Sequence, residues 1–253
     1  MGFLHRTLGL WFFGRFARRK KGDSTTRKII SNYFYKFIMA FSLQHLVREP
    51  TIKSEKSPLL LLLHGYGSNE QDLFSFADEL PNDCYVISVR APFDLQFGSY
   101  AWYSINFDAD ENKFSDIEEA KESSQLIVKY IDELVAFYPI DTQKITLIGF
   151  SQGAILSFGI GLSYPQKINK IVAMSGYFND KIPNHDFENN DLRNLKIFAS
   201  HGSVDQVVPV DWARKAAPAL SKLGVKIEYH EYPMGHTISQ KNFYDMKNWL
   251  ENN

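Results

Sequence analysis

Ser151 stands in Gly149-Phe150-Ser151-Gln152-Gly153, directly after the apolar run Lys144–Phe150 and directly before the helical stretch Gln152–Ser163. A serine flanked in this way sits on a sharp strand-to-helix turn, with its hydroxyl lifted above the sheet. The helix that follows points its N-terminal dipole toward any negative charge developing there. A serine hydroxyl attacks a carbonyl only after a base takes its proton. Seven histidines are available. His5 lies in the leader, and His45, His185 and His230 fall in strand-like or polar segments. His64 and His201 each precede a glycine at a strand end. His236 stands in Pro233-Met234-Gly235-His236, a loop after the last apolar run, and is the expected base. The carboxylate that holds the imidazole tautomer is assigned to Asp205, in His201-Gly202-Ser203-Val204-Asp205. Asp211 is the rival, but it lies where a helix N-cap belongs; Asp180 and Asp186 belong to a polar stretch.

Such a set does acyl transfer, and acyl transfer needs donors for the oxyanion. The residue after the serine, Gln152, supplies one backbone N–H. The glycine-rich loop His64-Gly65-Tyr66-Gly67-Ser68-Asn69 is expected to supply the other, from Tyr66. The aromatic, turn-rich stretch Ala91–Asn106 is either a wall against substrate or a satellite core. Trp102 is its candidate for substrate contact, with His64 as a second. Cys84 has no basic neighbour in sequence and reads as structural.

The elements that must position these residues follow from short uninterrupted apolar runs. Leu59–Leu63, Tyr85–Val89, Lys144–Phe150, Ile171–Met174 and Leu195–Ala199 read as strands buried on both faces, with Ser42–Val47 and Val225–Glu231 at the margins. Helical patterns cover Asp116–Phe137, Gln152–Ser163, Asp211–Leu223 and Phe243–Leu250. Alternation of the two predicts a mostly parallel α/β sheet flanked by helices.

Composition sets the outer bounds. The chain has 253 residues, 44% hydrophobic and 23% charged, which suits one globular domain. One cysteine excludes a disulfide scaffold and fits a reducing, cytoplasmic setting. Residues 1–38 hold nine basic residues against one acid; the remainder holds nineteen bases and twenty-eight acids. The body at 39–253 is therefore acidic, and nucleic acid is not expected as a partner. Three readings stand for the leader at 1–38: a non-native start before Met39, a targeting segment, or a basic aromatic surface anchor giving peripheral membrane contact through residues 1–41. No run in it reaches the length of a spanning helix.

Together these segments resemble the phospholipase/carboxylesterase family of α/β-hydrolases, which includes the acyl-protein thioesterases. The resemblance rests on Leu61-Leu62-Leu63-His64-Gly65-Tyr66-Gly67, Arg90-Ala91-Pro92, Ala101-Trp102-Tyr103, the Ser151 pentapeptide, Ser175-Gly176, His201 to Pro209, and Gly235-His236, in family order. The chain order serine, aspartate, histidine is also that of the α/β-hydrolases. His64-Gly65-Tyr66-Gly67-Ser68-Asn69-Glu70 is more similar to the bacterial esterase branch. The resemblance implies an α/β-hydrolase fold without a large cap, no cofactor, a Ser151–His236–Asp205 triad and an oxyanion site at Tyr66 and Gln152. It implies cleavage of small carboxylic esters as monomer or homodimer. Acyl thioesterase, lysophospholipase and peptidase action remain open with the same triad, as does a non-catalytic binding role on this fold.

Overall fold

The computed structural model describes residues 41–107 and 113–253; the readings of the leader lie outside them. In chain order the elements are β1 (His45–Arg48), β2 (Ser57–Leu63), α1 (Gln71–Phe74), β3 (Tyr85–Val89), β4 (Phe93–Asp94), β5 (Tyr100–Ala101), β6 (Ile105–Phe107), β7 (Lys113–Ser115), α2 (Ile117–Phe137), β8 (Ile140–Phe150), α3 (Gln152–Ser163), β9 (Lys170–Met174), β10 (Lys196–Gly202), α4 (Val210–Ala213), α5 (Ala216–Ser221), β11 (Lys226–Tyr232) and α6 (Gln240–Asn252). Seven strands form one sheet in the order β1-β3-β2-β8-β9-β10-β11. Only β1 runs antiparallel, at the edge; every other pairing is parallel. The expected α/β architecture is the one observed.

Side chains leave a strand alternately to its two faces. In β2, Leu59, Leu61 and Leu63 therefore enter one core and Leu60 and Leu62 the other, and all five are buried. This is why the run shows no polar alternation. The first core packs under α2 and α3, through residues such as Ile127, Ile131, Leu156 and Ile160. The second packs under α6 and α1, with Met246, Trp249, Leu250 and Leu73. α2 starts where expected because the Asp116 side chain accepts the Glu119 N–H, 3.1 Å away, and Glu118 and Glu119 fill its first turn. α3 is buried from Gln152 to Leu162 on all sides, so it is a core helix rather than an amphipathic cover.

One expected helix is corrected. The stretch Asp211–Leu223 is two short helices, α4 and α5. Pro218 has no N–H to give a continuous helix, and its ring would press on the preceding turn. Restarting the helix at Ala216 puts Pro218 in the first turn, where no N–H is needed. Gly224, at φ +81°, ends this region in a left-handed turn.

The topology itself marks a place for chemistry. From β2 the chain steps outward to β3, then returns to lay β8 on the other side of β2. Ligands in open parallel sheets bind beyond the carboxyl ends of the strands at such a reversal. The chain leaves β2 there into His64–Asn69, and leaves β8 there into Ser151.

Candidate active site

Ser151 adopts φ 52°, ψ −114°, a backbone state that costs a non-glycine residue energy. Neighbouring structure holds it there. Its N–H donates to the carbonyl of Met174 at 2.9 Å, which ties the turn to the end of β9. The flanking glycines are a steric necessity. A Cβ on Gly153 would lie 2.0 Å from the Leu63 carbonyl oxygen, and one on Gly149 would lie 2.3 Å from the Gly153 carbonyl. Any larger residue would push α3 off β2.

Asp205 follows β10 and is buried. Its Oδ1 accepts the N–H groups of Val207 and Val208 at 2.8 and 2.9 Å. Its Oδ2 accepts the Nδ1–H of His236 at 2.7 Å. Burial alone would push this carboxyl up, but the His236 bond and the two amides outweigh it and hold it below the ordinary carboxylate range. The loop bearing His236 is carried to Asp205 by backbone bonds: Ser203 N–H to Tyr232 O at 2.8 Å, and Val204 N–H to Met234 O at 3.3 Å. The Phe150 ring lies 4.9 Å from the His236 ring, centroid to centroid.

Ser151 and His236 open onto one cavity of about 180 Å³. Tyr66 and Gln152 line it too. The Gln152 N–H sits at the first helical position and so has no acceptor within its helix. The Tyr66 N–H has no protein acceptor among the described residues. The apolar wall is Ile105, Ile155, Val207, Val208 and Trp212; Tyr103, Ser115 and Tyr177 add hydroxyls. Tyr103 and Ile105 lie in the Ala91–Asn106 stretch, for which a substrate wall is one of the two sequence readings; the other lining residues escaped sequence reasoning, although Val207 and Val208 lie inside the Asp205 segment and Tyr177 directly follows Ser175-Gly176.

Two expected substrate contacts are not brought to the cavity. His64 is fully buried; its Nδ1–H donates to Gly65 O at 2.7 Å and its Nε2 accepts the Ala91 N–H at 3.1 Å. Both ring nitrogens are spent on backbone, and burial pushes the imidazole pKa down. Trp102 is fully buried as well and donates its Nε1–H to His64 O at 2.9 Å. The pair is packing behind the wall, which resolves the aromatic stretch toward satellite core at this position. The residue that reaches the cavity is the next one, Tyr103. Its direction is set by Gln152, whose side chain accepts the Trp102 N–H at 3.1 Å and donates to Tyr103 O at 2.7 Å.

His201 also lies behind the site. It is fully buried, its Nε2–H donates to Val208 O at 2.9 Å, and the same nitrogen is 3.3 Å from Asp205 Oδ2. Cys84 is buried away from these groups, and burial pushes its thiol up to about 12, the state of an inert thiol. Among the described residues, no group of three or more His, Cys, Asp or Glu is placed to hold a metal ion. No helix of the described residues is long and apolar enough to cross a membrane.

The family model described as Phospholipase/Carboxylesterase matches residues 47–253. The chain belongs to this family. Among curated members, acyl-protein thioesterase 1 of Yarrowia lipolytica is 29% identical over 224 residues, covering 82% of this chain and 96% of that protein. Carboxylesterase SOBER1 of Arabidopsis thaliana is 29% identical over 206 residues, covering 76% and 89%. The crystal structure of esterase PE8 superposes with a TM-score of 0.71 at 26% identity, over 83% of this chain and 98% of that one. The Bacillus cereus carboxylesterase gives 0.73 at 21% identity, over 87% and 98%, a likeness of fold. The matched family region takes in every residue of the cavity described above.

Proposed function

We propose that this protein is a serine hydrolase that cleaves carboxylic esters of short acyl chains through an acyl-enzyme. The observation that carries the reading is the 2.7 Å bond from His236 Nδ1–H to the buried Asp205 carboxylate, at the cavity onto which the strained Ser151 opens. Asp205 fixes the tautomer that leaves His236 Nε2 unprotonated and free to act as base. Ser151 Oγ attacks the ester carbonyl carbon while Nε2 takes its proton. The carbonyl oxygen, now negative, is stabilised by the N–H groups of Tyr66 and Gln152; a donor of this kind is worth about 3 kcal/mol. Collapse breaks the bond to the alcohol, which leaves with the proton from Nε2. Water, deprotonated by the same nitrogen, attacks the acyl-enzyme and releases the acid. Ser151 and His236 are not hydrogen-bonded to each other in the free enzyme, and such contacts tighten as substrate binds.

The size of the cavity argues for the acyl length. The cavity that Ser151 and His236 share is small, about 180 Å³, and its wall is largely apolar, which suits a short acyl chain. The curated relatives named acyl-protein thioesterase 1 keep thioesters in view, since the same steps cleave a C–S bond. One preparation assayed on a short oxyester, the matching thioester and a lysophospholipid ranks these substrates, with Ser151→Ala as blank. A fluorophosphonate should label Ser151. Turnover in Ser151→Ala equal to the parent would overturn the reading.

A further inference from the structure

Two histidines stand before a glycine at a strand end, and the fold uses them differently. His64 gives both ring nitrogens to backbone. His201, near the end of β10, brings one nitrogen to the Asp205 carboxylate. That nitrogen, Nε2, lies 2.9 Å from Val208 O and 3.3 Å from Asp205 Oδ2, and both side chains are closed to solvent. A ring nitrogen facing a carbonyl oxygen must carry the proton, so Nε2 is an N–H set between two acceptors. The other nitrogen, Nδ1, is buried with no hydrogen-bond partner among the described residues, so it carries none. His201 is therefore neutral. Its in-register neighbour on β11, Glu231, is already gripped by Arg214 at 2.7 and 2.8 Å, and Arg214 also holds Asp211 at 2.8 Å. Asp205 is thus met by N–H groups on both oxygens: the Val207 and Val208 amides at Oδ1, and His236 and His201 at Oδ2. Each donor that stabilises a carboxylate makes it a weaker base, and leaves less of its charge to stabilise a proton on His236.

We infer that His201 is a positioning residue of the catalytic machinery: a neutral imidazole whose Nε2–H, shared between Val208 O and Asp205 Oδ2, fixes the carboxylate opposite His236 and keeps the His236 imidazolium acidic enough to give up its proton near neutral pH. The inference rests on the serine-hydrolase reading and deepens it. His201 touches no reacting atom and acts only through Asp205. It also braces the loop that carries Asp205, because Val208 supplies both an amide to Oδ1 and the carbonyl that His201 holds. Phenylalanine would fill the same space without a donor. Glutamine would place an amide N–H where Nε2 stands.

The test is the pH dependence of kcat/KM on a short p-nitrophenyl ester, whose acid limb reports the base of the free enzyme. In His201→Phe the limb should move up by about half a pH unit or more, because Asp205 loses a donor and holds the His236 proton more firmly. In His201→Gln, which keeps a donor, the limb should stay within about 0.2 pH unit of the parent. A purely structural role lowers kcat at every pH and leaves the limb where it was. An unmoved or lowered limb in folded His201→Phe would overturn the inference, and so would an equal rise in His201→Gln. Nitrogen NMR of the parent decides the matter if the phenylalanine variant fails to fold. His201 should remain the neutral Nε2–H tautomer from about pH 5 to 8 while His236 titrates; a His201 that takes up a proton in that range overturns the inference. Ser151→Ala separates this inference from the reading beneath it. If that variant turns over ester as fast as the parent, the hydrolase reading fails; if it is inactive and the limb of His201→Phe has not moved, only the role of His201 fails.

Discussion

Asp205→Asn tests the site most directly, because the geometry dictates which way the amide must point. Oδ1 receives two backbone N–H groups, from Val207 and Val208, at 2.8 and 2.9 Å. In the variant the amide oxygen must stay there, since the NH₂ group would otherwise oppose two donors. The NH₂ group then takes the place of Oδ2, 2.7 Å from His236 Nδ1. Two N–H groups cannot face each other at that distance. His236 therefore gives up the proton on Nδ1 and carries it on Nε2, the nitrogen that must accept from Ser151. Loss of tautomer control of this kind costs about 10⁴ in kcat, or roughly 5 kcal/mol at 1.36 kcal/mol per factor of ten. The fold should persist because both valine amides keep their acceptor. The assay is kcat on a short p-nitrophenyl ester at neutral pH, with circular dichroism to verify the fold. A folded variant with kcat within tenfold of the parent would refute the assignment of Asp205. The pH dependence of stability supplies a second readout. Asp205 is held below its ordinary value of about 3.9, so its ionised form contributes stability above that pH, which is lost as pH falls through the lowered folded value. Asp205→Asn should lose less stability than the parent across that acid range.

His64 gives the opposite kind of titration. It is buried and neutral, with a lowered pKa, so on acidification the unfolded chain takes up a proton first, near pH 6.5. Stability should fall by up to about 1.4 kcal/mol per unit as pH drops from about 6.5 toward the lower folded value. His64→Gln, which can still accept from Ala91, should flatten that slope in urea unfolding at pH 7, 6 and 5; parallel curves for parent and variant would count against a neutral buried His64. Gly153→Ala places a Cβ 2.0 Å from Leu63 O and should cost about 3 kcal/mol or more, seen as lost soluble yield or a large fall in melting temperature. Gly235→Ala, with nothing within 4 Å of its Cβ, should stay within about 0.5 kcal/mol by the same melting assay.

The strands were legible because a parallel sheet buries both faces. Leu59–Leu63 needs no partner pattern to be recognised; five apolar residues between Pro58 and His64-Gly65 suffice. The elbow was legible because its glycines are forced by contacts one element away. The split at Pro218 was equally available in the sequence, since a proline in mid-helix removes a donor whatever surrounds it. The turn-rich stretch after β3 was not legible. Its two short hairpins, β4–β5 and β6–β7, have no hydrophobic period long enough to read.

The choice between Trp102 and Tyr103 shows why such a stretch resists sequence reasoning. Adjacent residues here have opposite fates, one behind the wall and one in it. The side chain that sets them belongs to Gln152, fifty positions further along. The short motifs behave in the same way. Arg90 grips Glu70 through two parallel bonds of 2.5 and 2.7 Å, joining the ends of β3 and β2. His64 receives the Ala91 amide, and Trp102 closes onto the carbonyl of His64. These groups touch no reacting atom. They lock the loop carrying Tyr66 to the loop carrying Tyr103, and Gln152 locks the second loop to the helix that starts beside Ser151. Much of what makes the chain recognisable as a hydrolase is thus the scaffold that aims the site, while the cavity wall draws partly on the motifs, through Tyr103, Val207 and Val208, and partly on the intervals between them, through Ile105, Ile155, Tyr177 and Trp212.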